Sequence, residues 1–280
     1  MARIMPTPAT HLASAQAMLQ RGTLRTAARR LLSRHTGPFL LGHTAPDVTT
    51  ISGQRRETSH FYSIPRTSSR PAYQVLLDTH PELVDVATLS PAQAAFVAGY
   101  MAHLLLDELW LVDVFQPCFL QEWGPRAERM FLHNVLRTWV DGDDQARLDD
   151  TVSQALQQAE PDNWVSFIED GHLRLWRDWL VEQLAPDQKM ETVEVLARRV
   201  GVPAAEMETV ARSPEQMANR VFCHFSQAAL HRFREKGQRD STELVNWTIE
   251  TLTSRDHPWA ATKLPSRWSG NPRAKKEILT

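Results

Sequence analysis

The run Ala94–Val112, AAFVAGYMAHLLLDELWLV, decides how this chain folds. It is apolar on nearly every face of a helix, which is typical of a helix at the centre of a bundle. Just before it, Ser90 suits a helix cap, Pro91 suits the first helical position, and Gln93 completes a capping box. The sequence therefore predicts a buried central helix that begins at Pro91.

Two ionisable residues inside this run, His103 and Asp107, indicate that the helix has a chemical function. They are four residues apart, about one turn of an α-helix, so their side chains project from the same face. Charged residues inside the run favour a buried helix over a membrane span. Burying an imidazole and a carboxylate is costly unless something binds them. A metal cation satisfies both, and a plain hydrogen bond between the two is the alternative for the isolated pair.

The rest of the chain shows helical rather than alternating periodicity, so we predict an all-α fold, a multi-helix bundle. The segment Gly37–Ser69 is rich in Gly, Pro, Thr and Ser and is predicted to be long and irregular. Breaks are expected at Pro117 and Gly124-Pro125, and the Asp141–Asp144 run is expected to end a helix. The further predicted helices are His11–Arg21, Leu24–Ser33, Pro71–Asp78, Arg126–Val140, Gln145–Ala159, Asn163–Leu184, Met190–Val200, Pro203–Ala211, Glu215–Lys236 and Thr242–Leu252.

Composition limits the class of protein. The 280 residues are 42% hydrophobic, enough for a real core, and the formal net charge of −2 gives no electrostatic footprint for duplex nucleic acid. Cys118 and Cys223 are the only cysteines, so neither a disulfide framework nor a thiolate-rich zinc site is expected. The amino terminus lacks an apolar signal core, which predicts a cytoplasmic protein without a transmembrane segment. The sequence does not indicate an oligomeric state.

Four more candidate ligands, His11, His43, Asp47 and His60, precede the central helix, and His43 is more typical of a residue that supports the site. His11 lies on the first predicted helix, Asp47 follows Ala45-Pro46, and His60 lies in the phrase TSHFY. Imidazole and carboxylate ligands suit Zn²⁺, and they also suit Mn²⁺ or Fe²⁺. For Asp47 an Asx-turn is the structural alternative, and His11 is alternatively an exposed residue of a first turn.

In this order, the phrases resemble the zinc-dependent phospholipase C family. Its members show an early helical His, an APD turn, an SHF or THF phrase, and a buried helix with glycine, His, three spacers and Asp. The resemblance covers about half of the chain, roughly residues 5–140. The matching positions here are His11, Ala45-Pro46-Asp47, Ser59-His60-Phe61, and Gly99 with His103 and Asp107.

The resemblance implies an all-helical hydrolase fold with a zinc cluster in a cleft, a fold that single-strand nucleases share. It implies a metal-site core over residues 1–145; we expect a packed helical extension over 146–255 and a flexible tail over 256–280. The implied substrate is a small-molecule or lipid phosphoester. Asp47 would lie where the family aspartate bridges or activates water, and the implied zinc ligands are His11, Asp47, His60, His103 and Asp107.

The chain departs from the family members that bind three metals. Those use a freed terminal amine, for which Met1 shows no cleavage signal, and they use later His and Glu ligands. Asp113 and His133 are the candidates here, but Arg137 stands where a Glu is wanted. One or two zinc ions are therefore expected. Asp113 is alternatively a surface charge at a helix end.

Three further residues are assigned supporting roles. His43, four residues before Asp47, is expected to support the site rather than to bind metal. Arg55 and Arg56 are candidates for forked donors to a phosphate oxygen. Two functions follow: a metal-dependent phosphoester hydrolase, or a non-catalytic helical protein that retains a structural or vestigial metal site.

Overall fold

The structure, a computed structural model, describes residues 5–64, 69–85, 88–185 and 191–253. Within those ranges the regular elements are all helical and no strand occurs, which confirms the all-α prediction. The α-helices are α1 Pro8–Gln20, α2 Thr26–Leu32, α3 Thr36–Gly42, α4 Thr49–Ser52, α5 Arg56–His60, α6 Ala72–Thr79, α7 Pro91–Trp110, α8 Arg126–Gln145, α9 Asp150–Gln157, α10 Asp170–Gln183, α11 Thr192–Val200, α12 Ala204–Arg212, α13 Pro214–Gln216 and α14 Gln227–Thr253. Two 3₁₀ segments, Ala45–Val48 and Pro81–Val84, and two π-helical segments, Leu111–Phe119 and Met217–Phe222, complete the set.

Helix α7 is the buried centre of the fold, as predicted. The Ser90 hydroxyl accepts a hydrogen bond from the Gln93 backbone N–H at 3.1 Å, which confirms the cap. The Gln93 side chain instead donates to the Trp164 carbonyl, so the reciprocal half of the capping box does not form. The break expected at Pro117 is wrong, because α7 continues directly into the π-helical segment that contains this proline.

Two glycines let α3 cross α7 at very short range. A Cβ atom on Gly99 would lie 2.2 Å from the Phe39 carbonyl oxygen, and one on Gly42 would lie 2.1 Å from that of Phe96. Only hydrogen atoms fit between the backbones there. This contact holds the end of α3, and therefore His43, against the middle of α7.

The helix over Pro91–Phe119 is long and apolar enough, by length and composition, to cross a membrane. In the structure, 89% of its most apolar window is buried inside the protein. It packs against α3 and α14, its main neighbours, as well as against α6. Its apolar side chains therefore form the protein core.

The prediction of a long irregular segment over Gly37–Ser69 is wrong. The segment contains α3, a 3₁₀ turn, α4 and α5. Buried residues such as Phe39 and Leu41 pack on the core, and this burial outweighs the local turn signals of Gly, Pro and Thr. Helix α1 also begins earlier than expected, at Pro8, with Thr7 as its cap.

Two further predictions of helix ends differ from the structure. Helix α8 continues through Asp141–Asp144, where Asp143 and Asp144 form ion pairs with Arg234 of α14 at 2.6 and 2.8 Å. The two last predicted helices are one helix, α14, which starts only after a break that follows Phe222.

The other helical predictions differ mainly at their ends. Helix α10 starts at Asp170 rather than near Asn163, because the Asp170 carboxylate accepts a hydrogen bond from the Asn163 backbone N–H. Helices α2, α6, α9, α11 and α12 lie within the segments predicted for them or differ by about one residue. The second-half helices α11 and α12 pack on α8, and α14 packs on α7. The predicted tail, 256–280, lies outside the described residues.

Candidate metal centre

The structure brings all five predicted ligands together. They come from α1, the 3₁₀ turn Ala45–Val48, the end of α5 and the middle of α7. Within each of two overlapping groups, which share His103, the candidate ligand atoms lie within 4.8 Å of one another. The groups are His11 with Asp47 and His103, and His60 with His103 and Asp107.

The separations between these atoms fit a bound cation better than direct hydrogen bonds. The Nε2 atom of His11 lies 3.4 Å from Oδ1 of Asp107, and the Nε2 atoms of His60 and His103 lie 3.5 and 3.7 Å from Oδ2. The His60 Nε2 atom is also 3.6 Å from Oδ1 of Asp47. Tetrahedral zinc with bonds of about 2.0–2.1 Å places neighbouring ligand atoms about 3.3–3.4 Å apart. The spacing of the donor atoms is therefore compatible with a bound metal ion.

Buried polar atoms in the centre need a partner. The Nε2 atoms of His11 and His103 and Oδ1 of Asp107 are buried and have no hydrogen-bond partner among the described residues. Each such atom costs about 1–3 kcal/mol when it is left unsatisfied. Nitrogen and oxygen donors of this kind suit Zn²⁺, Mn²⁺ or Fe²⁺. The residues present therefore fit a divalent metal.

Hydrogen bonds on the far side of two imidazoles point their Nε2 atoms inward. The Nδ1 atom of His103 lies 3.0 Å from the His43 carbonyl oxygen, to which only a protonated nitrogen can donate. The Nδ1 atom of His60 lies 2.9 Å from the Ser59 hydroxyl, whose own proton goes to the Pro46 carbonyl at 2.8 Å. Both rings therefore carry a proton on Nδ1 and, when neutral, present the Nε2 lone pair, as metal-binding histidines do.

Arg56 and Tyr62 hold the carboxylate of Asp107. The Arg56 guanidinium donates to Oδ2 at 3.0 Å, the Tyr62 hydroxyl donates to the same atom at 3.2 Å, and Arg56 donates to the Tyr62 oxygen at 2.7 Å. Burial, followed by the charge of Asp107, raises the pKa of Tyr62 well above its ordinary value, so the phenol keeps its proton and remains a donor. The carboxylate is thereby fixed in position, and its Oδ1 atom faces His11.

Arg55 and Arg56, the predicted phosphate donors, lie in different surroundings. Arg55 is exposed and pairs with Glu57 at 3.7 Å, away from the five ligands. Arg56 is in the centre, but its guanidinium binds Asp107. The structure therefore places Arg56 as a support of a ligand and leaves Arg55 on the surface.

The two additional candidate ligands lie apart from both ligand groups. Asp113 forms an ion pair with Lys236 at 2.6 Å. His133 accepts a hydrogen bond from the Trp110 indole N–H at 3.1 Å and packs against Phe115 and Phe119. Asp113 lies in the π-helical segment Leu111–Phe119, and His133 lies on α8. Met1, whose amine a trinuclear site would use, lies outside the described residues.

His43 supports the centre, as its sequence position suggested. Its carbonyl oxygen orients His103, and its ring centre lies 5.7 Å from that of His11. Burial, with a smaller effect of the His11 charge, lowers the pKa of the His43 ring to about 3. The ring is therefore neutral at physiological pH and adds no positive charge beside a cation.

Among the described residues, a small cleft reaches the centre at Asp47. Of the five ligands, Asp47 lines the cleft and is 7% exposed, whereas the other four are 0% exposed. The cleft has a volume of about 40 Å³, and Arg137 and Arg199 also line it. Asp47 is therefore the candidate ligand that water or a ligand in this cleft can reach.

Sequence reasoning missed Ser59, Tyr62 and Arg199. The first two flank His60 in the phrase Ser59-His60-Phe61-Tyr62, so their closeness to a predicted ligand was a usable signal. Arg199 lies on α11, far along the chain, and only the packing of α11 on α8 brings it to the cleft. No local sequence pattern identifies Arg199 as a residue of the site.

Comparison of the chain with protein-family models, with curated proteins and with solved structures finds no match. What the site can do is therefore inferred from its own atoms. Five buried side chains that could bind a metal ion converge beside a narrow cleft that Arg137 and Arg199 line.

Proposed function

We propose that this protein binds a divalent metal, best fitted by zinc, and hydrolyses phosphoester bonds. The observation that carries the proposal is the convergence of His11, Asp47, His60, His103 and Asp107, in which the buried Nε2 atoms of His11 and His103 and Oδ1 of Asp107 are available to a cation. The resemblance of the ligand phrases to zinc-dependent phospholipase C supports the choice of reaction. One or two ions match the ligands present.

The position of each residue in the centre indicates its role. Asp107, held by Arg56 and Tyr62, and the inward-facing His60 and His103 form the closed side. Bound metal supplies Lewis acidity and lowers the pKa of water. Asp47, at the cleft, is the carboxylate that can take a proton from an entering water molecule.

A second candidate is a structural metal site without catalysis. The observation in its favour is closure, since four ligands are completely buried and the cleft holds only about 40 Å³. Arg137, in place of the family glutamate, also removes one expected ligand. In this case the metal would stabilise the fold and have no open coordination position.

The test combines metal analysis with an assay. Purified protein should contain one or two divalent ions per chain and hydrolyse a chromogenic phosphodiester, and a chelator should abolish this activity. Asp47→Asn should lower turnover about 100-fold or more while most of the stability remains. The control Asp162→Asn, in the exposed loop before α10, should leave turnover unchanged.

The outcomes separate the candidates. Bound metal without hydrolysis of any phosphoester supports the structural site. Protein that folds normally and binds no divalent metal overturns both. Unchanged turnover in Asp47→Asn removes Asp47 from catalysis.

A further inference from the structure

Two arginines from distant parts of the chain face the same narrow cleft. Arg137 projects from α8 and Arg199 from α11, and both line the cleft together with Asp47. We propose that Arg137 and Arg199 form an anion subsite that takes a phosphoryl group beside the metal centre. The subsite deepens the hydrolase proposal and rests on it for the identity of the substrate, but its binding of phosphate is testable separately.

The Arg137 side chain is held in a fixed position inside the protein. Its side chain is buried, with the residue 4% exposed, and its Nη1 atom donates to the Asn134 side-chain oxygen at 2.9 Å. Asn134 is held in turn by a hydrogen bond to the Met130 carbonyl at 2.8 Å. A guanidinium fixed in this way loses little further freedom when it binds an oxyanion through its planar fork.

The two guanidinium groups lie close enough to affect each other. Burial, followed by the charge of Arg199, lowers the pKa of Arg137 to about 9, against the opposite effects of Asp47 and Asp141. At neutral pH the side chain remains protonated. Two positive charges on one cleft raise its electrostatic potential. A small anion bound between the two guanidinium groups reduces their repulsion.

The charges around the centre also favour an anion once a metal is bound. The charged side chains that line the cleft are Arg137, Arg199 and Asp47, so a divalent ion bound beside them would add to a positive charge. Arg137, which stands where the resembled family has a glutamate, would then have a role in binding an anion. Where a glutamate would bind another cation, a guanidinium supplies positive charge directly.

The dimensions of the cleft limit the ligand. Its volume of about 40 Å³ is enough for a few water molecules, which is the scale of one phosphoryl group. The hydroxyl-bearing residues Thr50 and Thr192 line it as well, and the stacked rings of Trp176 and Trp179, 4.9 Å apart, form an aromatic wall. This arrangement suits a phosphate group attached to a less polar remainder.

Calorimetric titration of the zinc-loaded full chain with inorganic phosphate tests the subsite. Arg199→Gln should weaken phosphate binding about tenfold or more, because a charge-assisted hydrogen bond is lost. Zinc content should stay the same, since Arg199 belongs to neither ligand group. Arg198→Gln is the matched control, because this neighbour on α11 is exposed and does not line the cleft; it should bind phosphate like the native chain.

A second variant keeps the test valid if Arg199→Gln does not fold. Arg137→Lys keeps the buried charge but removes the planar fork, so it should fold, bind zinc and bind phosphate more weakly than the native chain. Native-like phosphate affinity in both Arg199→Gln and Arg137→Lys overturns the proposal, as does a native chain that does not bind phosphate.

The results distinguish the subsite from the hydrolase. Phosphate binding that depends on both arginines, without any hydrolysis, supports the subsite and overturns catalysis. Hydrolysis with phosphate binding unchanged in both Arg199→Gln and Arg137→Lys supports catalysis and overturns the subsite. If the chain binds no zinc, the same titrations on the metal-free chain decide the subsite.

Discussion

The Nδ1 atom of His103 donates its proton to the backbone oxygen of His43 across 3.0 Å. This bond links the end of α3 to the middle of α7. It fixes the imidazole tautomer, so the Nε2 lone pair faces Asp107, with Nε2 and Oδ2 3.7 Å apart. The geometry of a ligand on α7 therefore depends on how closely α3 packs against that helix.

The Ser59 hydroxyl does the same for His60, which predicts an effect on metal affinity. Ser59→Ala removes the acceptor of the Nδ1 proton, so we expect zinc affinity to fall about 10–100-fold with the fold intact. Competition titration against a zinc chelator measures this. Ser33→Ala, at an exposed hydroxyl that bonds to the Arg30 carbonyl, is the control. Native zinc affinity in Ser59→Ala would contradict the assigned tautomer.

Metal binding should stabilise the fold, because the site exists only in the folded chain. At a zinc concentration about 1,000 times Kd, the free energy of unfolding should rise by about 4 kcal/mol. His11→Gln should lose most of this increment, whereas His231→Gln, at an exposed position on α14, should keep it. Urea denaturation with zinc and with chelator measures both. An equal zinc increment in His11→Gln would show that His11 is not a ligand.

The glycine contact between α3 and α7 should be sensitive to a single methyl group. Gly99→Ala places a Cβ atom against the Phe39 carbonyl, so we expect a loss of about 1–3 kcal/mol in unfolding free energy, or more. Gly142→Ala, in α8 with no atom within 4 Å, should instead gain about 0.5–1 kcal/mol from helix propensity. Chemical denaturation compares the two. A Gly99→Ala variant as stable as the native chain would show that the helices separate at little cost.

Acid should destabilise the protein through His133. Burial, followed by the charge of Arg137, lowers the pKa of this imidazole well below 6.5, so the folded state binds fewer protons than the unfolded state. The stability it contributes is complete above pH 6.5 and falls as the pH drops, by about 1.4 kcal/mol per pH unit until the folded-state pKa is reached.

His133→Gln tests this dependence while keeping an acceptor for the Trp110 indole. Unfolding free energies at pH 7, 6 and 5 should fall less steeply in this variant than in the native chain. The same slope in both proteins would mean that His133 does not titrate over this range.

The sequence alone determines the features that depend on neighbouring residues. The all-α class, the cap at Ser90 and the common face of His103 and Asp107 follow from helical geometry, which acts over a few residues. Five candidate ligands could be named because their order along the chain resembles that of a known family. Wrong predictions, such as the irregular segment over Gly37–Ser69, arose where burial on α7 outweighed local turn signals.

Only the tertiary structure decided which side chains meet. The tautomer of His103 depends on a backbone oxygen of α3, and the cleft exists because α11 brings Arg199 beside Arg137 on α8. These contacts join segments far apart in the chain, and their distances depend on the packing of whole helices. Local sequence patterns carry no information on such distances, because a helix of a given pattern can pack against many partners.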